Sequence, residues 1–381
     1  MNGARIYLDY NATTPVRPEV RDVVSPLLFG DVSDGAWGNA SSVHWAGQSA
    51  RKSLEGARAQ IAARFERKPS EVLFTSGGSE ADNLALFGVF DHDKFGCGHL
   101  VISSVEHPAV RAAASRLEAR GVHVVTVGVD GQGRLDLDEL TRAAEGAALV
   151  SVMAVNNETG VVLPTEEVVA IAHAAGALVH VDAVQAAGKV ALPLTADLVS
   201  LSAHKLGGLK GIGALVVRES IPLRPAIVGG PQERGKRAGT EHVAAAVSLA
   251  TAIEVAEATR EAEMTRLASL RDRIDATVGD IEGARILGAG ATRVGNTTTV
   301  VFEGVDGEAI LQGLDLEGIA TSSGSACSSG SLEPSHVLVA MGVPARVALS
   351  SVRFSLGFFT TEAEIDAVLA VLPQIVMRAR T

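Results

Sequence analysis

The sequence predicts an α/β protein in which a mostly parallel, seven-stranded sheet is flanked by helices and followed by a smaller α+β domain. Over the first two thirds of the chain, short apolar runs alternate with amphipathic segments, which is the order that a parallel sheet covered on both faces produces. Residues 241–278 then contain no Gly or Pro, and beyond them strand and helix patterns mix. Hydrophobic residues make up 47% of the chain and charged residues 20%, which is a globular composition.

Each predicted element of the large sheet is a short apolar run followed by a polar stretch. The predicted strands are residues 71–76, 99–106, 123–130, 148–156, 177–184, 197–203 and 213–219. Helices are predicted between them, for example in residues 108–121 and 164–176, and both of these segments end in a glycine suited to a helix C-terminus. Residues 241–278 predict one long helix or two kinked ones.

The long helical segment suggests a division of the chain near residue 255. We expect a large α/β domain over residues 15–255 and a small α+β domain over residues 256–381, with residues 1–14 packed against the latter. In the small domain, strands are predicted at 296–304 and 350–356, and helices at 306–318 and 360–379. A chain of 381 residues is long enough for this arrangement.

Composition excludes several classes of function. A net charge of −11 argues against direct nucleic-acid binding, which depends on clustered Lys and Arg. No apolar run reaches about 18 residues, so no membrane span is expected, and the N-terminus lacks the pattern of a signal peptide. Two cysteines do not make a disulfide framework, so we expect a reducing cytoplasm. The ten histidines show no zinc-binding spacing, so no metal site is expected.

Polar patches follow five of the predicted strands. They are "TSGGSEADN" (75–83), "VEHPAV" (105–110), "NNETG" (156–160), "DAVQA" (182–186) and "SAHKLGGLKG" (202–211). Sites in open parallel sheets form at the carboxyl ends of the strands. We therefore expect these patches to meet in one crevice, which indicates an enzyme rather than a scaffold.

The residues of these patches suggest a specific chemistry. Lys205 follows an apolar strand and is a candidate Schiff-base lysine, although a lysine in a surface turn would look the same. Asp182 ends another strand, where it could pair with the pyridinium of pyridoxal phosphate (PLP) or cap the following helix. Gly78 and Ser79 begin a predicted helix and could bind phosphate or form a simple turn. His107 could stack on a flat ring or be structural.

Cys327 lies in the polar stretch "TSSGSACSSGS" (321–331), which is a poor setting for the buried small hydrophobe that a free cysteine usually is. A Gly- and Ser-rich loop, residues 321–332, would let one thiol reach a substrate and then an acceptor. We therefore predict a mobile loop with a reactive thiol. The second cysteine, Cys97, precedes a predicted strand and is expected to be structural.

In this order, the patches resemble fold type I PLP enzymes, and more specifically the group I (NifS/IscS-type) cysteine desulfurases of the class V aminotransferase family. The resemblance runs from residue 7 almost to the end of the chain. Its motifs, besides those above, are "YLDYNATTP", "NASSVHWAGQSAR", "HVDAVQ", "GGPQERGKRAGTE", "SGSACSSGSLEPSHVL" and "VRFSLGFFTTEAEI".

The resemblance implies a role for each matching residue. Lys205 would hold PLP as an internal aldimine, Asp182 would pair with the pyridine nitrogen, His107 would stack on the ring, and Gln185 would contact the ring oxygen. Arg353 would bind the substrate carboxylate with its planar guanidinium, and Asn157 would lie beside cofactor and substrate. The implied phosphate-binding residues are Gly78, Ser79, Ser202 and His204, with Thr240 reaching in from a second subunit of a homodimer.

The implied reaction converts L-cysteine to L-alanine. Lys205 would act as general base, His107 would shuttle protons, and Cys327 would carry the sulfur as a persulfide to an iron–sulfur scaffold, a sulfur carrier or a tRNA-thiolation protein. The alternatives are a selenocysteine lyase, a transaminase or an epimerase of the same class, or an inactive relative that serves as a sulfur-transfer scaffold. The cysteine in "SGSAC" favours the desulfurase.

The chain departs from the family pattern at several places. Ser79 replaces the usual Thr but keeps a hydroxyl, so phosphate binding is still expected. Phe358 replaces an arginine and removes a charge near Arg353, and Pro231 stands where Gly or His is usual. The sequence ends soon after Arg380, and we expect the shorter C-terminus to affect docking of the acceptor rather than the chemistry.

Overall fold

A seven-stranded sheet with helices on both faces forms the larger part of the molecule. The computed structural model describes residues 5–35, 37–92, 98–324 and 333–380. Its strands are β1 (Ile6–Tyr7), β2 (Val72–Thr75), β3 (His99–Ser103), β4 (Val124–Val127), β5 (Ala147–Met153), β6 (Leu178–Asp182), β7 (Leu198–Ser202), β8 (Gly213–Val217), β9 (Ala284–Ile286), β10 (Thr297–Phe302), β11 (Ile319–Ala320) and β12 (Ser351–Ser355). Its helices are α1 (Pro18–Phe29), α2 (Trp45–Arg64), α3 (Gly78–Phe90), α4 (Pro108–Glu118), α5 (Leu137–Ala144), α6 (Thr165–Ala174), α7 (Val243–Gly279), α8 (Gly307–Leu316), α9 (His336–Ala340), α10 (Ala345–Ala348) and α11 (Glu362–Arg378).

The strand order of the large sheet is β2-β8-β7-β6-β5-β3-β4. Strand β8 is antiparallel to both of its neighbours, β2 and β7, and the remaining pairs are parallel. Every residue of β2, β7 and β8 is buried, because helices cover both faces. The seven predicted strands and the α/β class with a mostly parallel sheet are thus confirmed.

The predicted helix ends are also confirmed. The chain leaves α4 and α6 through Gly121 and Gly176, whose φ angles are 92° and 79°, a conformation that glycine adopts without steric strain. The segment without Gly or Pro forms one continuous helix, α7, of 37 residues. In the part of the chain with assigned structure, no helix combines the length and hydrophobicity needed to cross a membrane.

The C-terminal part contains a second, smaller sheet. Strands β9, β10 and β12 form an antiparallel sheet in the order β12-β10-β9, and β1 pairs in parallel with β11. Ile6 and Leu8 belong to the same apolar cluster as the second half of α7, β10, β12 and α11. This separate cluster supports a small domain that includes the N-terminal residues, but the boundary near residue 255 falls within α7 and remains a prediction.

A buried ion pair fixes the loop after β8 to the edge of the large sheet. Arg58 of α2 binds Glu233 through two contacts, Nη1–Oε2 at 2.7 Å and Nη2–Oε1 at 2.9 Å. The side chains are 3% and 2% exposed. Glu233 also accepts the backbone N–H of Phe74 in β2 at 3.0 Å. The loop therefore depends on a charge pair that water does not reach.

Glu233→Ala is expected to lower the free energy of unfolding by about 3 kcal/mol, because it leaves the buried Arg58 guanidinium with only the half-exposed Glu55 as an acidic partner. Denaturant unfolding followed by circular dichroism measures this loss. A double variant, Arg58→Met with Glu233→Met, removes both charges and is expected to regain part of the stability. An unfolding midpoint of Glu233→Ala equal to that of the wild type would contradict the prediction.

Candidate active site

A cavity of about 360 Å³ lies at the carboxyl ends of β5, β6 and β7. All five polar patches contribute to its walls, as strand ends in a parallel sheet are expected to do. The predicted site residues that line it are Gly78, Ser79, His107, Asn157, Asp182, Gln185, Ser202, His204, Lys205 and Arg353. The expected convergence on one crevice is therefore observed.

Lys205 reaches the cavity from a short 3₁₀ turn, Ala203–Lys205, that directly follows β7. Its Nζ donates hydrogen bonds to the backbone carbonyl oxygens of Asn11 and Ala12, the latter at 2.8 Å. Both acceptors are neutral and belong to the segment after β1. The N-terminal segment thus holds the lysine amine at the cavity wall.

Asp182 is the last residue of β6 and is 5% exposed. Its Oδ1 accepts the backbone N–H of Val184 at 2.9 Å. Burial raises the pKa of the Asp182 carboxyl, and His107, the Val184 N–H and Lys205 offset this only in part. A cation in the cavity would stabilise the carboxylate, and the pyridinium N–H of PLP is such a group.

His107 is the N-terminal capping residue of α4. Its Nδ1 accepts the backbone N–H of Ala109 at 3.1 Å, so the neutral ring carries its proton on Nε2. Burial lowers the pKa of His107; Asp182 opposes this effect and Lys205 adds to it. The cavity is therefore lined by a neutral imidazole whose Nε2–H can donate a hydrogen bond.

The N-terminus of α3 faces the cavity at Gly78. The first turn of a helix leaves backbone N–H groups without intrahelical partners, which favours an anion there. A Cβ on Gly78 would lie 2.7 Å from Cγ2 of Val184, so this close approach requires glycine. Hydroxyl groups of Ser79 and Ser202 line the same cavity. This set of donors fits a phosphate group.

His204 is the middle residue of the 3₁₀ turn that holds Lys205. Its Nδ1 lies 3.2 Å from Oγ1 of Thr13. Burial, with smaller contributions from Lys205 and Lys210, lowers the pKa of His204 to about 4. The imidazole is therefore neutral at physiological pH. It can contribute a hydrogen bond to a phosphate but no charge.

Arg353 lies on β12 and is 1% exposed. Its Nη1 donates to the carbonyl oxygen of Asn157 at 2.9 Å, and its Nη2 donates to Oδ1 of Asp9 at 2.7 Å. The buried Nε has no hydrogen-bond partner among the residues that the structure describes. A buried N–H without a partner is unfavourable, and a substrate carboxylate oxygen would satisfy it.

One predicted residue, Thr240, does not line this cavity in the single chain. Thr240 is exposed and lines a separate cavity of about 120 Å³ with Ser76 and Gly239, so its contribution across a subunit interface remains a prediction. Cys327, like Cys97, lies outside the described residues. The chain leading to Cys327 passes the site, because the Arg353 backbone N–H donates to the Ser322 carbonyl oxygen at 2.7 Å.

Other residues of the site were not identified from the sequence. Asn11 accepts hydrogen bonds from Lys205 and Gln185 although "YLDYNATTP" suggested no role for it. Lys189 contacts Gln185. Burial, and to a smaller extent the positive charges of Lys205 and Arg353, lowers the pKa of Lys189 to about 7. Asp82 also lines the cavity. Burial, and to a smaller extent the negative charge of Asp182, raises the pKa of Asp82 well above the usual range. No local signal indicated Lys189, because one of its partners, Asn11, lies 178 residues away in the sequence.

The residues present fit PLP better than a metal ion. They offer an amine for the aldehyde, a buried carboxyl for the pyridinium and a helix N-terminus for the phosphate. Within the described ranges, no group of His, Cys, Asp and Glu side chains is arranged to hold a metal ion.

Comparisons with known proteins agree with this arrangement. The family model for aminotransferase class-V matches residues 6–368. A cysteine desulfurase of Trichormus azollae is 45% identical over 382 residues, covering 98% of this chain and 94% of that protein. A solved NifS-like protein superposes with a TM-score of 0.91 at 34% identity, covering 98% of this chain and 100% of that one.

A further solved structure, SspA in complex with cysteine, has a TM-score of 0.80 at 31% identity and covers 93% of this chain and 99% of that one. These matches extend over nearly the whole chain and combine sequence with structure. They confirm the predicted PLP-enzyme fold and the predicted enzyme class. The chain therefore belongs to the aminotransferase class-V family and, within it, to the NifS-like, PLP-dependent cysteine desulfurases.

Proposed function

We propose that this cysteine desulfurase converts L-cysteine to L-alanine with PLP on Lys205 and carries the released sulfur as a persulfide on Cys327. The observation that supports the residue roles best is that Lys205, Asp182, His107 and Arg353 line one cavity. The solved relative in complex with cysteine supports L-cysteine as the substrate.

The cofactor would be held by groups already in place. Asp182 would accept a hydrogen bond from the pyridinium, Gln185 would donate one to the ring oxygen, and His107 would stack on the ring. The N-terminus of α3, with Ser79, Ser202 and His204, would bind the phosphate. When bound, PLP supplies an electron sink for negative charge at the substrate α-carbon.

The side chains of the protein then have separate tasks. The Lys205 amine would take the α-proton as general base. His107 would shuttle protons at the substrate sulfur. Arg353 and Asn157 hold the substrate carboxylate, so that the α-proton and the sulfur stay in fixed positions.

Sulfur transfer follows as a nucleophilic substitution. The Cys327 thiolate attacks the substrate sulfur, a new S–S bond forms, and the C–S bond breaks with its electron pair left on the substrate carbon. Protonation of this β-carbon and return of the α-proton by Lys205 would give alanine, and the enzyme would retain a persulfide. An acceptor thiol or a reductant then removes the outer sulfur.

The test of the activity is direct. Purified protein reconstituted with PLP is incubated with L-cysteine and dithiothreitol, and sulfide and alanine are quantified. Equal amounts of the two products are expected. If the protein produces no sulfide at any cysteine concentration, the proposal is wrong. Amino-group transfer to a keto acid without sulfide would instead indicate an aminotransferase of the same class.

We further propose a homodimer in a reducing cytoplasm that delivers sulfur to an iron–sulfur scaffold, a sulfur carrier or a tRNA-thiolation protein. Large apolar side chains that are exposed in the single chain support a subunit interface. They include Phe29, Trp37, Val43 and Trp45, which are 58–87% exposed. Light scattering coupled to size chromatography tests this, and a monomeric mass would contradict it.

Arg353→Lys is expected to raise the KM for L-cysteine by about tenfold or more, because a lysine cannot make the paired N–H contacts of a guanidinium. Steady-state kinetics measures the change. Asp9→Asn is the matched control, since it weakens the same ion pair but leaves the guanidinium in place. If Asp9→Asn raises KM as much as Arg353→Lys, the arginine acts through the fold and not through the substrate.

A further inference from the structure

Lys189 is a second lysine beside Lys205, and the reaction described above does not use it. It follows the turn after β6, four residues beyond Gln185. Its Nζ lies 2.5 Å from Oε1 of Gln185 and 3.4 Å from Oδ1 of Asn11. In the described ranges it forms no ion pair with a carboxylate. Its amine therefore contacts two amide oxygens at the edge of the active site.

The neighbours of Gln185 allow only one orientation of its amide group. A lysine ammonium donates and never accepts, so the Gln185 atom that faces Lys189 must be the oxygen. On the other side, Nε2 of Gln185 donates to the carbonyl oxygen of Asn11 at 2.9 Å, and a carbonyl only accepts. Both contacts fix the same orientation. If Lys189 loses its proton, the neutral amine still has N–H groups to donate.

This orientation determines what Gln185 offers to the cavity. Gln185 is 5% exposed and lines the cavity that also contains Lys205 and Asp182. Its oxygen is engaged by Lys189, and one N–H is engaged by Asn11. The second N–H of Nε2 is the hydrogen-bond donor that remains. Without Lys189, the contact with the Asn11 carbonyl alone would hold the amide in this orientation.

We propose that Lys189 is a positioning residue that fixes the Gln185 amide so that it presents an N–H, and not an oxygen, to the ring oxygen of bound PLP. The proposal rests on the proposed function, in which Gln185 contacts that oxygen. An N–H stabilises the ionised ring oxygen, whereas an amide oxygen would repel it. Lys189 would thus influence both the affinity for PLP and its ionisation state.

Lys189→Met tests the proposal because methionine keeps the length of the side chain and removes the donor. Two measurements are made: the dissociation constant of PLP from the apoprotein and the absorption spectrum of the loaded protein. We expect PLP to bind on the order of tenfold more weakly and the visible band to lose intensity to the near ultraviolet. Lys189→Arg, which keeps a donor, is expected to retain most of both properties. Lys52→Met, on the exposed face of α2, is the matched control and should change neither.

Gln185→Glu is a second variant that does not depend on the folding of Lys189→Met. The glutamate keeps its contact with Lys189 but has no N–H, so we expect the same weaker binding and the same spectral change. Adding Lys189→Met to a Gln185→Leu variant should weaken PLP binding no further, because both substitutions remove the same interaction.

The outcomes separate this inference from the proposed function. Wild-type protein that binds no PLP would contradict both. Wild-type protein that binds PLP normally, together with an unchanged affinity and spectrum in Lys189→Met or in Gln185→Glu, would overturn the inference alone. An equal loss in Lys189→Arg and Lys189→Met would also overturn it, because it would show that the donor is not what matters.

Discussion

Lys205→Ala is expected to abolish covalent attachment of PLP and to reduce sulfide and alanine formation by about a thousandfold or more, because it removes both the attachment point and the proposed general base. Attachment is measured by borohydride reduction of the loaded protein followed by intact mass determination, and activity by product formation from L-cysteine. PLP can still bind non-covalently, because Asp182 and the N-terminus of α3 remain.

The control for this substitution is a lysine from the same sequence motif. Lys210 is exposed and lies five residues after Lys205, so Lys210→Ala should retain the mass increase and most of the activity. If borohydride still fixes PLP to the Lys205→Ala protein, another lysine forms the attachment and the assignment is wrong. Peptide mapping would then identify it, and Lys189 would be the first lysine to examine because it also contacts Asn11.

Cys327→Ala is expected to remove the protein-bound persulfide and to lower the rate of sulfide release by at least about a hundredfold, because the proposed nucleophile is lost. PLP binding and the spectral change on adding L-cysteine should remain, since neither requires that thiol. Persulfide is measured by alkylation of the protein shortly after mixing with L-cysteine, followed by peptide mass spectrometry.

The only other cysteine of the chain provides the matched control. Cys97→Ala should leave the persulfide on Cys327 and the rate of sulfide release unchanged, as expected of a structural residue. Sulfide release that is undiminished in Cys327→Ala would refute the carrier role. Persulfide found on Cys97 in the wild-type protein would reassign that role to the other thiol.

The architecture could be predicted largely from local patterns. The strands of the large sheet are apolar runs that are mostly buried, except for β4 at one edge, and such runs are visible in the sequence without knowledge of their neighbours. The antiparallel direction of β8 was not predicted. The ten residues between β7 and β8 are too few for the usual helical crossover between parallel strands. The length of this connection could therefore have indicated that β8 is antiparallel.

The active site was predictable where a residue type at a strand end suggests its chemistry, as for Lys205 and Asp182. It was not predictable where the role depends on contacts between distant parts of the chain. The hydrogen bond from Gln185 to Asn11 spans 174 residues, and that from Lys205 to Asn11 spans 194. No local pattern indicates that Asn11 will accept both bonds. The role of Lys189 follows from the same contacts and was missed for the same reason.

The position of the N-terminal segment has a consequence for how the enzyme matures in the cell. Asp9 binds Arg353, and the Asn11 backbone N–H donates to Ser355 Oγ, each across 344 residues. These partners are synthesised 344 residues later. The Lys205 pocket can therefore close only after the chain has been synthesised beyond Ser355. We expect newly made chains to capture their coenzyme only after that point, so that coenzyme binding follows synthesis of both parts of the pocket.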